Sequence, residues 1–172
     1  RSLSVSAMYD RAVMAKRTVK GNYVNRHAYY DDTLRQTLLD ELEIVNSMHA
    51  ALEQNQFEVY LQPKCRLVTG EIVGAEALVR WNHPQRGLVS PGEFIPLAEE
   101  TGSISAISEL MLYQACEQAL LWWQQGMPIR VSVNLSVSHV RQGNLVALVR
   151  DVLEKTGLPA YLLELELTES QM

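Results

Sequence analysis

The chain has 172 residues, 47% of them apolar and 20% charged, with a net charge of −5; this is the composition of an ordinary globular protein long enough for one domain and part of another. That acidic balance gives no reason to expect binding to a nucleic-acid polymer, and no apolar run reaches the ~18 residues that a membrane helix needs. Cys65 and Cys116 stand 51 positions apart with no C-x-x-C, which argues against a zinc site or disulfide framework and fits a reducing cytoplasm; residues 1–30 also lack a signal-peptide apolar segment.

Residues 6–19 read as an amphipathic helix on Met8, Ala12, Ala15 and Val19, followed by a turn at "KGN" and a short strand over 23–30. A 32-residue piece cannot bury a core by itself. Residues 33–54 place Leu34, Leu38, Leu42, Val45, Met48 and Leu52 at helical spacing. Leu38, Val45 and Leu52 are seven apart, so this helix either packs on its own domain or forms a short coiled-coil seam. From residue 57 strands and helices alternate. Strands are predicted over 57–62, 71–80, 130–135 and 162–168, and helices over 91–101, 104–125 and 143–156. Pro91 near a helix start, and Gly102, Gly126 and Gly157 near helix ends, supply the punctuation. The alternation predicts an α/β fold with parallel strands, about half of an eight-stranded barrel. The chain begins inside a helical pattern without a methionine and stops just after a strand pattern, so it reads as an excerpt.

The strands carry polar residues on one face. In "VGAEALVRW" (73–81), Val73, Ala75, Ala77 and Val79 point one way and Gly74, Glu76, Leu78 and Arg80 the other. An unpaired buried carboxylate costs about 3 kcal/mol or more. Either that face is wet or Glu76 meets a cation. "FEVYLQPK", "RVSVNLS" and "LLELELTES" alternate in the same way, with Gln62, Asn134 and Glu166 on the polar side. Ligands bind at the C-terminal ends of strands in open α/β sheets and barrels. Glu76, Asn134 and Glu166 would converge there as oxygen donors suited to Mg²⁺ or Mn²⁺, with Arg80 offering a fork to phosphate and Gln62 a hydrogen bond. Antiparallel strands with one solvated face give the same alternation.

Four motifs in order, "FEVYLQPK", "GAEALVRWNHPQRGLVSPGEFIPLAEETGSI", "VSVNLS" and "LELELTES", closely resemble the first half of an EAL domain, the bacterial cyclic-di-GMP phosphodiesterase family. The resemblance covers 55–172 and implies a TIM-like (β/α)₈ barrel of the EAL type, its first strand antiparallel, cut after about four strands and preceded by a helical segment. It implies that Glu76, Asn134 and Glu166 are metal ligands, with Glu76 also catalytic. It further implies that Gln62, Leu78 and Arg80 contact substrate, and that Glu169 is a catalytic-site glutamate holding the site and a neighbouring loop together. The implied reaction is hydrolysis of cyclic-di-GMP to linear pGpG with two Mg²⁺ or Mn²⁺ ions. The family's paired-aspartate loop, catalytic lysine and last glutamate ligand lie beyond Met172, so the 172 residues alone are expected to be inactive. Residues 1–32 resemble the tail of a GGDEF domain, and 33–54 a linker helix.

The remaining polar residues invite plainer readings. Glu99 and Glu100 read as a solvated pair at a helix end, Trp122 and Trp123 as packing and surface anchors, and Glu164 as structural. His27, His49, His83 and His139 share no ligand spacing, and His83-Pro84 reads as a turn after the strand over 71–80. Two rival functions remain: a non-catalytic cyclic-di-GMP receptor, and a protein-interaction module using the helix over 33–54. An uncovered strand edge at 162–168 recruits other strands, so a homodimer, an element swap, or cover by residues 1–54 is expected. The parent protein is expected in the cytoplasm, with any membrane anchor in other domains.

Overall fold

The structure, a computed structural model, describes residues 3–19, 27–136 and 143–167. It divides into two compact units, Arg1–Asn46 and Ser47–Met172. The first holds α1 (Val5–Val19) and the opening turns of α2 (Asp32–Glu53). Each helix starts where a short polar side chain takes up a backbone N–H that has no intrahelical partner. Ser4 Oγ accepts from Ala7 N–H at 3.2 Å and Asp31 Oδ1 from Leu34 N–H at 2.7 Å. The Arg11 guanidinium sits 4.6 Å from the centre of the Tyr30 ring, a cation–π contact. The strand expected over 23–30 is not formed at 27–30, which run irregularly into α2; residues 23–26 lie outside the described residues. A strand exists only through a partner's hydrogen bonds, and none of the described strands pairs with this segment.

The second unit is built on a sheet of β1 (Phe57–Cys65), β2 (Ile72–His83), β3 (Gly87–Val89), β4 (Arg130–Leu135) and β5 (Leu163–Leu167), in the order β1-β2-β4-β5 with β3 beside β2. β1 runs antiparallel to β2, whereas β2–β4 and β4–β5 are parallel. Helices α3 (Pro91–Thr101) and α4 (Ile104–Gln124) connect β2 to β4, and α5 (Leu145–Thr156) connects β4 to β5. The expected α/β fold with an antiparallel first strand is therefore present. Gly102 and Gly157 end α3 and α5 at φ of 80° and 75°, a left-handed conformation that a Cβ disfavours.

Two features go beyond the sequence expectation. β1 and β2 are longer than predicted because they form one continuous hairpin ladder, Phe57↔Trp81 through Gln62↔Glu76 to Lys64↔Gly74. Pro63 is tolerated because β1 is an edge strand among the described residues. β3 was not predicted. It folds back on β2 through Trp81↔Val89 and His83↔Gly87, and buried His83 fixes the turn: its Nδ1 accepts from the backbone N–H of Gln85 at 3.2 Å and Arg86 at 3.3 Å.

Strand alternation decides which residues face the helices. Phe57 and Trp81 are register partners on that side, and Phe94 of α3 closes over them, with ring centres 5.1 to 5.6 Å apart and none of the three more than 1% exposed. Val131, Val133 and Leu135 of β4 face the same way, and α4 packs on β4. Leu112, Ala115, Cys116 and Ala119 of that helix are wholly buried. Burial pushes the Cys116 thiol up to about 11, so it stays protonated and behaves as a small apolar side chain. Gly74 matters for a different reason: a Cβ there would lie 3.1 Å from the Arg130 carbonyl oxygen, so a side chain at 74 would push β4 back by a few tenths of an ångström.

Candidate functional site

The opposite face of the sheet collects the polar halves of the strands. Gln62 and Glu76 are register partners across the β1–β2 hairpin, and Asn134 and Glu166 are partners across β4–β5. Asn134 Nδ2 donates to Glu76 Oε1 at 2.9 Å, which ties the two halves together. Glu76, Asn134 and Glu166 are all half-buried, while Gln62 is exposed. The carboxylate of Glu76 is therefore not sealed in the core, and an amide meets it. Strand geometry gives this much directly: alternation puts the donors on one face, and parallel register puts them side by side.

Arg80 lies one pleat past Leu78 towards the end of β2. Its Nη1 donates to the Val79 carbonyl at 2.8 Å, and its guanidinium carbon sits 5.6 Å from the centre of the Tyr60 ring. β2 and β4 pair only as far as Ala77↔Val133. Beyond that point a cleft of ≈ 270 Å³ opens, lined in part by Leu78, Arg80, Ile95, Glu99, Met111 and Asn134. Glu99 is half-buried and belongs to this cleft, which corrects its reading as half of a solvated pair; α3 turns it inward because Phe94, Leu97 and Ala98 bury the neighbouring face. Glu100 is exposed as expected. Glu169 lies outside the described residues. Among the described residues no three His, Cys, Asp or Glu side chains form a group able to hold a metal ion; the oxygen donors brought together are two carboxylates and the Asn134 amide.

A family model described as the EAL domain matches residues 45–172. The chain belongs to the EAL-domain family. It is 38% identical over 147 residues to the bifunctional diguanylate cyclase/cyclic di-GMP phosphodiesterase MucR of Pseudomonas aeruginosa, covering 85% of this chain and 22% of that protein. Among solved structures, the PaMucR phosphodiesterase in its c-di-GMP complex superposes with a TM-score of 0.71 at 42% identity, over 74% of this chain and 52% of that one. The EAL enzyme Bd1971 bound to cAMP and cyclic-di-GMP gives 0.69 at 29% identity, over 98% and 45%. The chain spans about a fifth of the curated relatives it matches and about half of these solved chains. Among the described residues of this EAL domain, no helix is long and apolar enough to cross a membrane.

The sequence reading missed Lys64 in this EAL domain. Its Nζ donates to Glu166 Oε1 at 2.7 Å and to Ser132 Oγ at 2.6 Å. The signal was present: Lys64 is one pleat beyond Gln62 on the same strand face. The hydrogen bond to Glu166 holds the Lys64 ammonium above its ordinary value. In turn Lys64, and then the Ser132 hydroxyl, hold the Glu166 carboxyl below its ordinary range. Glu164, one pleat earlier, is 3.7 Å from Arg130, in keeping with its structural reading.

The signs of these shifts predict a pH dependence. A lowered Glu166 contributes stability above the usual carboxylate range, lost as pH falls through its folded value. A raised Lys64 contributes below the usual lysine value, lost as pH rises through its own. With the side chains 41% and 34% exposed, solvent screens the pair and the contribution is modest. The melting temperature of Lys64→Met should fall below that of the natural chain near neutral pH. The gap should close below the carboxylate range. A gap of constant size down to strongly acid pH would show that it does not come from the ion pair.

Proposed function

We propose that this chain supplies the first half of a site for cyclic-di-GMP, and that its parent hydrolyses the dinucleotide to pGpG in bacterial signalling. The observation that carries this reading is the junction of the two sheet halves, with Asn134 on Glu76 at 2.9 Å and Glu166 in register beside it. Glu76, Asn134 and Glu166 form an all-oxygen donor set that fits Mg²⁺ or Mn²⁺. When bound, such a cation supplies positive charge to the reacting phosphate. Arg80 and Gln62 bind and orient the dinucleotide, the first through its guanidinium fork, and Leu78 packs against it at the cleft. Glu169 is assigned a supporting role on the "LTES" motif alone. Residues 1–32 resemble the end of a GGDEF-like domain and 33–54 a linker helix; the exposed Leu39 and Leu42 on α2 support a homodimer, and the reading for the parent is a cytoplasmic one.

The described residues bring together two carboxylates and an amide, to which Mg²⁺ or Mn²⁺ would add waters and substrate phosphate; for the 172 residues alone the reading is binding without cleavage, since the family's paired-aspartate loop and catalytic lysine are not among them. A second reading, a receptor that holds the dinucleotide uncut, is favoured by the Lys64 ammonium already seated on Glu166. Calorimetric titration with cyclic-di-GMP in the presence of Ca²⁺ tests the site. Saturable binding that Glu76→Ala removes, with no pGpG released in Mn²⁺, is expected. Binding unaffected by Glu76→Ala would refute the proposed site.

A further inference from the structure

Lys64 reaches Glu166 across two intervening strands. Its register partner on β2 is Gly74, and a Cβ on Gly74 would lie 3.9 Å from both Lys64 Cβ and Cδ. The lysine stem therefore passes over the one residue of β2 with no side chain. The ammonium emerges at β4, where the buried Ser132 hydroxyl meets it at 2.6 Å, and ends on Glu166 of β5 at 2.7 Å. Each residue along this path has its role: a side chain at 74 extending beyond Cβ would crowd the stem, whose Cβ and Cδ already stand at contact distance from a Cβ there, and an apolar residue at 132 would leave the ammonium a single anchor. The positive charge thus stands on an oxygen of the carboxylate that, on the function proposed above, ligates a divalent cation.

We propose that Lys64 is a positioning residue acting as an internal cation: it holds Glu166 in the site and is displaced from it by the divalent ion. One charge-assisted hydrogen bond, from an ammonium that is itself anchored on the Ser132 hydroxyl, fixes the carboxylate's direction, so Glu166 is already placed before the ion arrives. The same bond opposes ion binding, because a carboxylate oxygen facing an ammonium must exchange partners before it can ligate. The device raises the divalent concentration at which the site fills. It also latches β1, one edge of the described sheet, to β5, the other. Since the ammonium is partly exposed, it has solvent to move into when displaced.

The test is Mn²⁺ binding to the 172-residue chain, read by electron paramagnetic resonance of the free ion with no dinucleotide present. Lys64→Met should bind Mn²⁺ about fivefold more tightly, the competition from a screened ion pair having been removed. Glu166→Gln in the same background should abolish the gain, and Lys64→Arg should restore affinity to the natural level or below. A purely structural lysine would give the opposite sign, because losing it would loosen the site. If Lys64→Met does not fold, Ser132→Ala should tighten binding about threefold by freeing one anchor of the ammonium. Equal or weaker binding by the folded variant overturns the displacement while leaving the metal site standing. No Mn²⁺ binding by any form overturns the displacement together with the metal site beneath it.

Discussion

Replacing Trp81 by alanine is expected to destabilise the sheet-containing unit by about 3–5 kcal/mol, the cost of emptying a large aromatic site in a close-packed core. Trp81 is 0% exposed and touches Phe57, His83 and Phe94, with ring centres 5.1 to 5.6 Å away. Its indole Nε1–H also donates to Gln56 Oε1 at 3.1 Å. Removing it uncouples β1, β2 and α3 at once, because each contributes one wall of the same cluster. Glu76 and Arg80 lie on the other face of β2, so they would lose their support without being touched. Urea unfolding followed by circular dichroism measures the effect. A loss below about 1 kcal/mol would mean that the cluster collapses without cost and does not anchor the sheet.

Arg80→Ala is expected to weaken cyclic-di-GMP binding about 10- to 100-fold, the range for one lost charge-assisted contact to phosphate of about 1.5–3 kcal/mol. The guanidinium stands at the cleft where β2 and β4 part, steadied by the Val79 carbonyl and the Tyr60 ring. Holding it there in advance lowers the ordering cost of binding. Arg80→Lys keeps the charge but not the planar fork, so it should recover only part of the affinity. Titration calorimetry with Ca²⁺ present separates the three forms. Equal affinity in Arg80→Ala and the natural chain would remove Arg80 from the phosphate site. Equal affinity in Arg80→Lys would show that charge alone, not the fork, is read.

Much of the fold is legible in local pattern. The spans of α3 and β4 follow from Pro91, Gly102 and the alternation of "RVSVNL", because helix caps and strand pleats act over a few residues. The same alternation placed Gln62, Glu76, Asn134 and Glu166 on one face, and the order of four motifs identified the EAL family. Local pattern failed wherever a contact outside the segment itself decides its structure. The segment over 27–30 has strand-forming residues but no strand, and β3 exists only because the end of β2 offers it hydrogen bonds. Glu99 reads as solvated beside Glu100 until α3 is packed and turns it into the cleft.

Lys64 shows the limit most clearly. The sequence by itself determined that a lysine shares a strand face with Gln62, since alternation is a property of the backbone. Only the tertiary structure decided that this lysine ends on Glu166, 102 positions away, because that contact requires strand order and register together. Alternation chooses the face on which a side chain lies; register between strands remote in sequence chooses the group it meets there.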